Sequence, residues 1–362
     1  MMAGEKPEFI FDCHLDLAMN AIEWNRDLKL TVEEIRAREQ NMTDKLDRGK
    51  GTVAFPELRK GNVGIVVATQ IARYVGPGNN LPGWNSPEIA WAITQAQLAW
   101  YKAMEEQGEL TQITNISELD NHLNNWNNSQ HGKKPIGYIL SLEGADSLVT
   151  LAHLEKAYRY GLRACGPAHY GPGRYAPGTG SSGGLTKEGK LLVAEMDRLN
   201  FILDVTHLTD EGFLEALKIF KGPVWASHHN CRALVHHQRQ LTDEQIKILM
   251  ERDAVIGGVL DTWMLTNDWA RGVDDPAQRG IGLAHLADHY DHICQMAGNS
   301  THIAIGSDLD GAYGKEQSPY DLEDISDLQK LKGILEQRGY SAQDIKNIFH
   351  ENWLRFLRSA WN

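Results

Sequence analysis

Metal-ligating side chains recur in this chain at one kind of place, directly after short apolar runs. His14-Leu15-Asp16 follows FIFDC. Residues two apart on an extended strand point the same way, so His14 and Asp16 can reach one ligand. An imidazole and a carboxylate on one side suit a divalent ion such as zinc, although HxD alone also describes a hydrogen-bonded pair at a strand end. Glu143 follows IGYILSL and is either a bridging carboxylate or a helix N-cap acid. His207 closes FILDVTH, His228 closes VWASH, and Asp308 and Asp310 follow HIAIGS. Three carboxylates (Asp16, Glu143, Asp308) and three histidines gathered in one cleft need compensation, and two divalent ions supply it.

Such a gathering requires strands whose ends converge. Eight short β-branched or apolar runs cover 9–13, 63–69, 136–142, 162–168, 201–205, 224–227, 254–260 and 302–306. Helical patterns lie between them, among them 87–107, 187–199 and 242–252, the last opening with an N-cap threonine and acidic first-turn residues. Alternating strands and helices predict an α/β fold, a (β/α)8 TIM-type barrel with its metal site at the C-terminal ends of the strands. One catalytic domain over 1–362 is expected. The Gly-rich stretch 171–184 falls after the fourth strand, as either a functional βα loop or a flexible surface loop.

Composition narrows the partners. A net charge of −12 and a pI near 5.7 speak against nucleic acid or an anionic membrane as the main partner. Cys13, Cys165, Cys231 and Cys294 lie far apart without a CxxC pair, which speaks against a zinc ribbon or a disulfide framework. No stretch approaches the ~18 apolar residues of a membrane span. Neither an export signal nor a lipid-anchor tail is read at the ends, so a cytoplasmic protein without a membrane anchor is expected. Removal of a signal peptide would leave the same chain.

In order and spacing, HLD (14–16), SLEGADSL (141–148), DVTHLT (204–209), ASHHNCRAL (226–234), RQLTDEQI (239–246) and IGSDLDG (305–311) resemble the membrane (renal) dipeptidase family, metallopeptidases of the amidohydrolase type. The resemblance covers nearly the whole chain. It implies a binuclear zinc site: His14 and Asp16 on the first Zn2+, Glu143 bridging, His207 and His228 on the second. It further implies His169 over the substrate carbonyl, Arg239 on the substrate carboxylate and Asp308 as the proton-transfer acid. Asp308 is preferred to Asp310 because it comes first after the strand. The chemistry is coherent with these roles: two metals about 3.5–4 Å apart share a hydroxide that attacks the amide carbon, His169 stabilises the oxyanion and Asp308 moves the proton. A small-molecule substrate, a dipeptide or similar amide, is implied. A homodimer is what similar proteins suggest.

The chain departs from the family in three places, of which the last two bear on substrate identity. Cys13 and Leu15 replace the family's usual neighbours of the first histidine, and Cys13, pointing away from His14, is read as core. The loop after His169 is GPGRYAPGTG, where Arg174 and Tyr175 offer extra contacts. Asp261 stands roughly where the family often offers a tyrosine, and favours an amine-bearing group. His229, His236 and His237 are read as loop or helix residues, and most of the ten tryptophans as core. The alternatives are another amidohydrolase, acting on an N-acyl amino acid, a lactone or as a deaminase, and a catalytically inactive metal-binding homologue. A bridging glutamate and a carboxylate-binding Arg239 weigh against the first. An intact ligand set weighs against the second.

Overall fold

A computed structural model describes residues 7–128 and 133–362. The first six residues, part of the stretch read as lacking an export signal, lie outside it. All eight expected strands form: β1 (Ile10–Leu15), β2 (Val63–Ile71), β4 (Ile136–Glu143), β5 (Leu162–Gly166), β6 (Ile202–Asp204), β7 (Val224–Trp225), β8 (Ile256–Gly258) and β9 (Ile303–Ile305). A further short strand, β3 (Leu110–Gln112), pairs with the beginning of β4. The expected strand 162–168 stops at Gly166, because Pro167 has no N–H to give a ladder. All pairings are parallel, in the order β1-β2-β4-β5-β6-β7, with β8-β9 as a separate pair.

Backbone bonds join the two pieces. Ala226, just after β7, bridges to Ile256 of β8. After β9 the chain returns to β1, where Asp308 N donates to His14 O (3.2 Å). Beneath that seam the buried Asp12 carboxylate accepts from the Ser307 N–H (2.8 Å) and from its hydroxyl. Asp204 does the same one seam away, accepting from Thr206 N (3.0 Å) and Ser227 N (3.2 Å). A Cβ on Gly306 would stand 1.8 Å from Ser227 O, so only glycine lets β9 approach this closely.

Period-two alternation divides the core. Phe11, Cys13, Ile65, Val67, Ile139, Ala164, Ile202, Trp225, Val255 and Ala304 form one cluster, the barrel interior. Their sequence neighbours Val66, Ala68, Tyr138, Leu140, Cys165, Leu203, Val224, Ile256, Ile303 and Ile305 face the covering helices in a second, larger cluster. Cys13 is therefore core, as expected. The C-terminal helix Asn352–Ala360 joins the interior cluster through Trp353, Phe356 and Leu357. The helices Pro87–Glu106, Lys187–Arg198 and Asp243–Glu251 match the expected segments. Each starts at a hydroxyl cap, Ser86, Thr186 and Thr242, the last in a reciprocal capping box with Gln245. Among the described residues no helix is long and apolar enough to cross a membrane.

Trp353 concentrates the interior packing. It is fully buried, stands 5.8 Å from the Trp225 ring, and donates Nε1–H to Ile305 O (2.9 Å). Trp353→Ala is expected to lower stability by about 3–5 kcal/mol in denaturant unfolding. A loss below about 1 kcal/mol would mean that this end of the barrel collapses around the gap.

Candidate metal centre

The last residue of β4 organises the mouth of the barrel. Glu143 Oε1 lies 3.1 Å from His207 Nε2 and 3.4 Å from His228 Nε2, and those nitrogens are 3.3 Å from each other. Donor atoms about 2.0–2.1 Å from a tetrahedral ion stand about 3.3 Å apart, so this near-equilateral triangle has the dimensions of one face of such a site. The other carboxylate oxygen, Oε2, faces His14 Nε2 at 3.5 Å. His14 Nε2 also lies 3.9 Å from Asp16 Oδ1 and 3.8 Å from Asp308 Oδ1. It is buried and has no hydrogen-bond partner. Three groups here bring ligand atoms close enough to hold a metal ion: His14, Glu143 and His228; Glu143, His169 and His207; His14, Asp16 and Asp308. The expected ligands thus meet at one place.

Neighbouring polar groups orient these side chains. Thr69 of β2 donates its hydroxyl to Asp16 Oδ1. Thr179 Oγ1 stands 2.9 Å from His207 Nδ1, and Ser227 Oγ 3.0 Å from His228 Nδ1. His207 and Asp308 both adopt left-handed backbone conformations (φ 69° and 56°). In non-glycine residues that conformation costs of order 1–3 kcal/mol and collects at functional sites.

The charges are poorly balanced by the protein alone. Burial opposes ionisation of Glu143, but His14 and then His169 hold it well below the usual carboxylate range. Burial also opposes charge on His14, yet Glu143, with Asp16 and Asp308, pushes its imidazole up to about 10. Asp16 is pushed up to about 7 by burial and by Glu143, and Asp308 is raised well above the usual carboxylate range by burial and its acidic neighbours. His207 and His228 are kept neutral, mainly by burial, with Arg239 next for His207 and His14 next for His228. Surplus carboxylate, an orphaned imidazole nitrogen and neutral histidines form a donor set that fits divalent cations.

A cavity of about 970 Å³ opens above this cluster. Arg239 lines it, fully enclosed, with Nη2 donating to His228 O (2.9 Å) while Nε and Nη1 have no partner. Asp261 lines it too, its oxygens oriented by Gln317 Nε2 (2.7 Å) and Trp263 Nε1 (2.7 Å). Burial pushes that carboxyl up to about 7. His169 and Asp308 complete the set of expected residues on the cavity wall.

Geometry separates Asp308 from Asp310. The Asp310 carboxylate turns away from the cluster and accepts from Thr52 N (2.7 Å), Thr52 Oγ1 (2.7 Å) and Val53 N (3.0 Å), with Arg26 Nη1 at 3.5 Å. Asn20 Nδ2 spans the seam, donating to Asp16 O (3.0 Å) and Asp310 O (2.8 Å). Asp310 is therefore a brace for the loop that carries Asp308.

Other expectations change. Arg174 donates to the carbonyls of Asp146, Leu148 and Val149, and Tyr175 is buried with its hydroxyl on Leu148 O. Both pin the Gly-rich loop and neither lines the cavity. The loop itself reaches the site, with Thr179 and Gly180 on the cavity wall. A Cβ on Gly178 would fall 1.7 Å from His169 O, so the turn back over His169 requires glycine. His237 also lines the cavity, edge-on to Trp263 at 4.8 Å, as do Trp24, Trp84 and Trp269. Sequence reading missed Arg73, Thr69 and Asn20. Thr69 and Arg73 lie at and just beyond the end of β2, the strand to which no site residue was assigned.

A parallel α/β barrel with histidines and carboxylates meeting at its strand ends defines a metal-dependent hydrolase type of architecture. Residues 6–362 match the model of the membrane dipeptidase family, peptidase family M19, and the chain belongs to that family. A dipeptidase of Aspergillus oryzae, aclJ, is 28% identical over 325 residues, covering 88% of this chain and 72% of that protein. The fold is shared with a solved dipeptidase of family M19 (TM-score 0.77, 24% identity, covering 98% of this chain and 99% of that one). It is shared equally with a metallopeptidase of Rhodobacter sphaeroides solved with a phosphinate mimic of the dipeptide L-Ala-D-Ala (TM-score 0.77, 23% identity, covering 98% and 100%).

Asp310→Asn is expected to leave one buried donor pair without a full acceptor and to lower stability by about 1–3 kcal/mol in denaturant unfolding. Unchanged stability would show that Arg26 and Asn20 hold the loop without it.

Proposed function

We propose that residues 1–362 form one catalytic domain of a binuclear zinc hydrolase that cleaves dipeptides. The observation that carries this reading is the orientation of Glu143, one oxygen toward His207 and His228 and the other toward His14. His14 and Asp16 would hold one Zn2+, His207 and His228 the other, with Glu143 shared. When bound, the ions supply Lewis acidity toward the scissile carbonyl and make water acidic enough to serve as a nucleophile near neutral pH.

The chain's own residues do the rest. Arg239, on the cavity wall with Nε and Nη1 unpartnered, would bind the substrate's terminal carboxylate through a charge-assisted hydrogen bond. Asp261, held rigid by Gln317 and Trp263, accepts the free ammonium at the other end. His169 donates to the carbonyl oxygen as negative charge develops on it. Asp308, beside His14 and open to the cavity, takes a proton from the nucleophile and returns it to the leaving amine. A carboxylate at each end of this scheme, one on the substrate and one on the protein, favours dipeptides over N-acyl amino acids, which lack the ammonium. Family membership and the dipeptidase relative support the same substrate class.

A screen of L,L-, mixed L,D- and N-acyl dipeptides with added zinc tests this. Free dipeptides are expected to turn over and their N-acylated counterparts to be poor substrates. The reverse order would favour an N-acyl amino acid hydrolase. Asp308→Asn should abolish turnover while metal content stays unchanged. Arg239→Ala should raise KM for carboxylate substrates about 10–100-fold, matching about 1.5–3 kcal/mol for a charged hydrogen bond. Wild-type kinetics in that variant would remove Arg239 from the site.

A further inference from the structure

Three histidines face Glu143 Oε1, and their far nitrogens are held by different chemistry. His207 Nδ1 meets the Thr179 hydroxyl and His228 Nδ1 the Ser227 hydroxyl. A hydroxyl can accept, so each of these rings can keep its proton on Nδ1 and present a bare Nε2 lone pair to a cation. His169 Nδ1 instead meets Arg73 Nη2 at 2.9 Å. A guanidinium has only donors and stays charged. His169 Nδ1 must therefore accept, and in the neutral ring the proton must sit on Nε2. That atom faces the cluster, 3.9 Å from Glu143 Oε1.

We infer that Arg73 is a positioning residue that selects the Nε2–H tautomer of His169 and so makes His169 a hydrogen-bond donor to substrate rather than a metal ligand. Proximity alone groups His169 with Glu143 and His207 as a place for an ion. The tautomer removes it from that set, because a protonated nitrogen has no lone pair to give. Arg73 is itself fixed. Its Nη1 donates to Pro82 O (2.6 Å), and the guanidinium carbon stands 5.8 Å from the Tyr170 ring centre. On the other side, the Gly178 turn closes against the His169 carbonyl, with Thr179 N donating to His169 O (2.9 Å). Backbone and ring are held independently, and the ring's one remaining hydrogen-bonding atom is Nε2, directed at the cavity that Arg73 and His169 both line.

The catalytic consequence rests on the dipeptidase reading; the tautomer does not. Long-range proton–nitrogen NMR of histidine-labelled protein, with His169 assigned by loss of its signals in His169→Gln, is expected to show the His169 proton on Nε2. In Arg73→Met the pattern should shift toward a mixture of tautomers. A proton on Nδ1 in the wild type would overturn the inference whatever the enzyme hydrolyses. In kinetics, Arg73→Met should lower kcat about 10–100-fold, at or below the roughly 100–1000-fold cost of removing an oxyanion donor outright, with KM changed less than about threefold. Arg73→Lys, which also can only donate, should retain more activity than Arg73→Met. In a His169→Gln background Arg73→Met should change kcat less than about twofold, since the two act as a unit. Full additivity of the two changes would contradict the proposal and mark Arg73 as acting on substrate or on packing by a separate route.

Discussion

A carboxylate that is almost fully enclosed keeps its charge only if something positive is held against it. Glu143 sits at the end of a central strand with imidazole nitrogens on both sides, and it draws the His14 imidazole toward its charged form. Four neighbouring groups depend on that arrangement. His14 is raised by Glu143, Asp16 and Asp308 are pushed toward neutrality by it, and His207 leans on its other oxygen. An imidazolium is a weak substitute for a divalent cation, which carries twice the charge and takes several ligands at once. The mouth of the barrel is shaped by the need to hold that negative charge in place.

The scaffold meets this need by fixing strand ends rather than by bulk packing alone. Asp12 and Asp204 sit below the mouth and gather the N–H groups of the turns that carry the site residues. Asn20 and Asp310 lock the first and last strands together across a separation of 290 residues. The interior below is apolar and closed by Trp353, so the polar cluster has one open side, the cavity. Arg239, Asp261, Arg73 and four tryptophans on its walls give that cavity both charge and aromatic surface.

Much of this was legible in the sequence. Each barrel strand is a run of β-branched or apolar residues long enough to stand out, and the histidines and carboxylates of the mouth come at or just after such runs, so His14, Asp16, Glu143, His207, His228 and Asp308 could be named together as candidates. Residues whose role comes from distant partners were not legible. Nothing around Arg73 marks it, because its significance is the imidazole it faces nearly a hundred positions later. Asp310 reads like a second site acid until Thr52 and Arg26 are seen to occupy it. Arg174 and Tyr175 look like substrate contacts in a Gly-rich loop, but the loop folds back and spends them on backbone carbonyls. β3 is three residues long and leaves no periodic signal. His237 and the cavity tryptophans could not be told from core aromatics by spacing.

Crystals grown with zinc and measured at the zinc absorption edge would show whether Glu143 lies between two cations. Two anomalous peaks per chain are expected, one on either side of Glu143. One should lie about 2.0–2.2 Å from His14 Nε2 and an Asp16 oxygen, and the other about 2.0–2.1 Å from the Nε2 atoms of His207 and His228. A single peak, or peaks that leave Glu143 unligated, would contradict it.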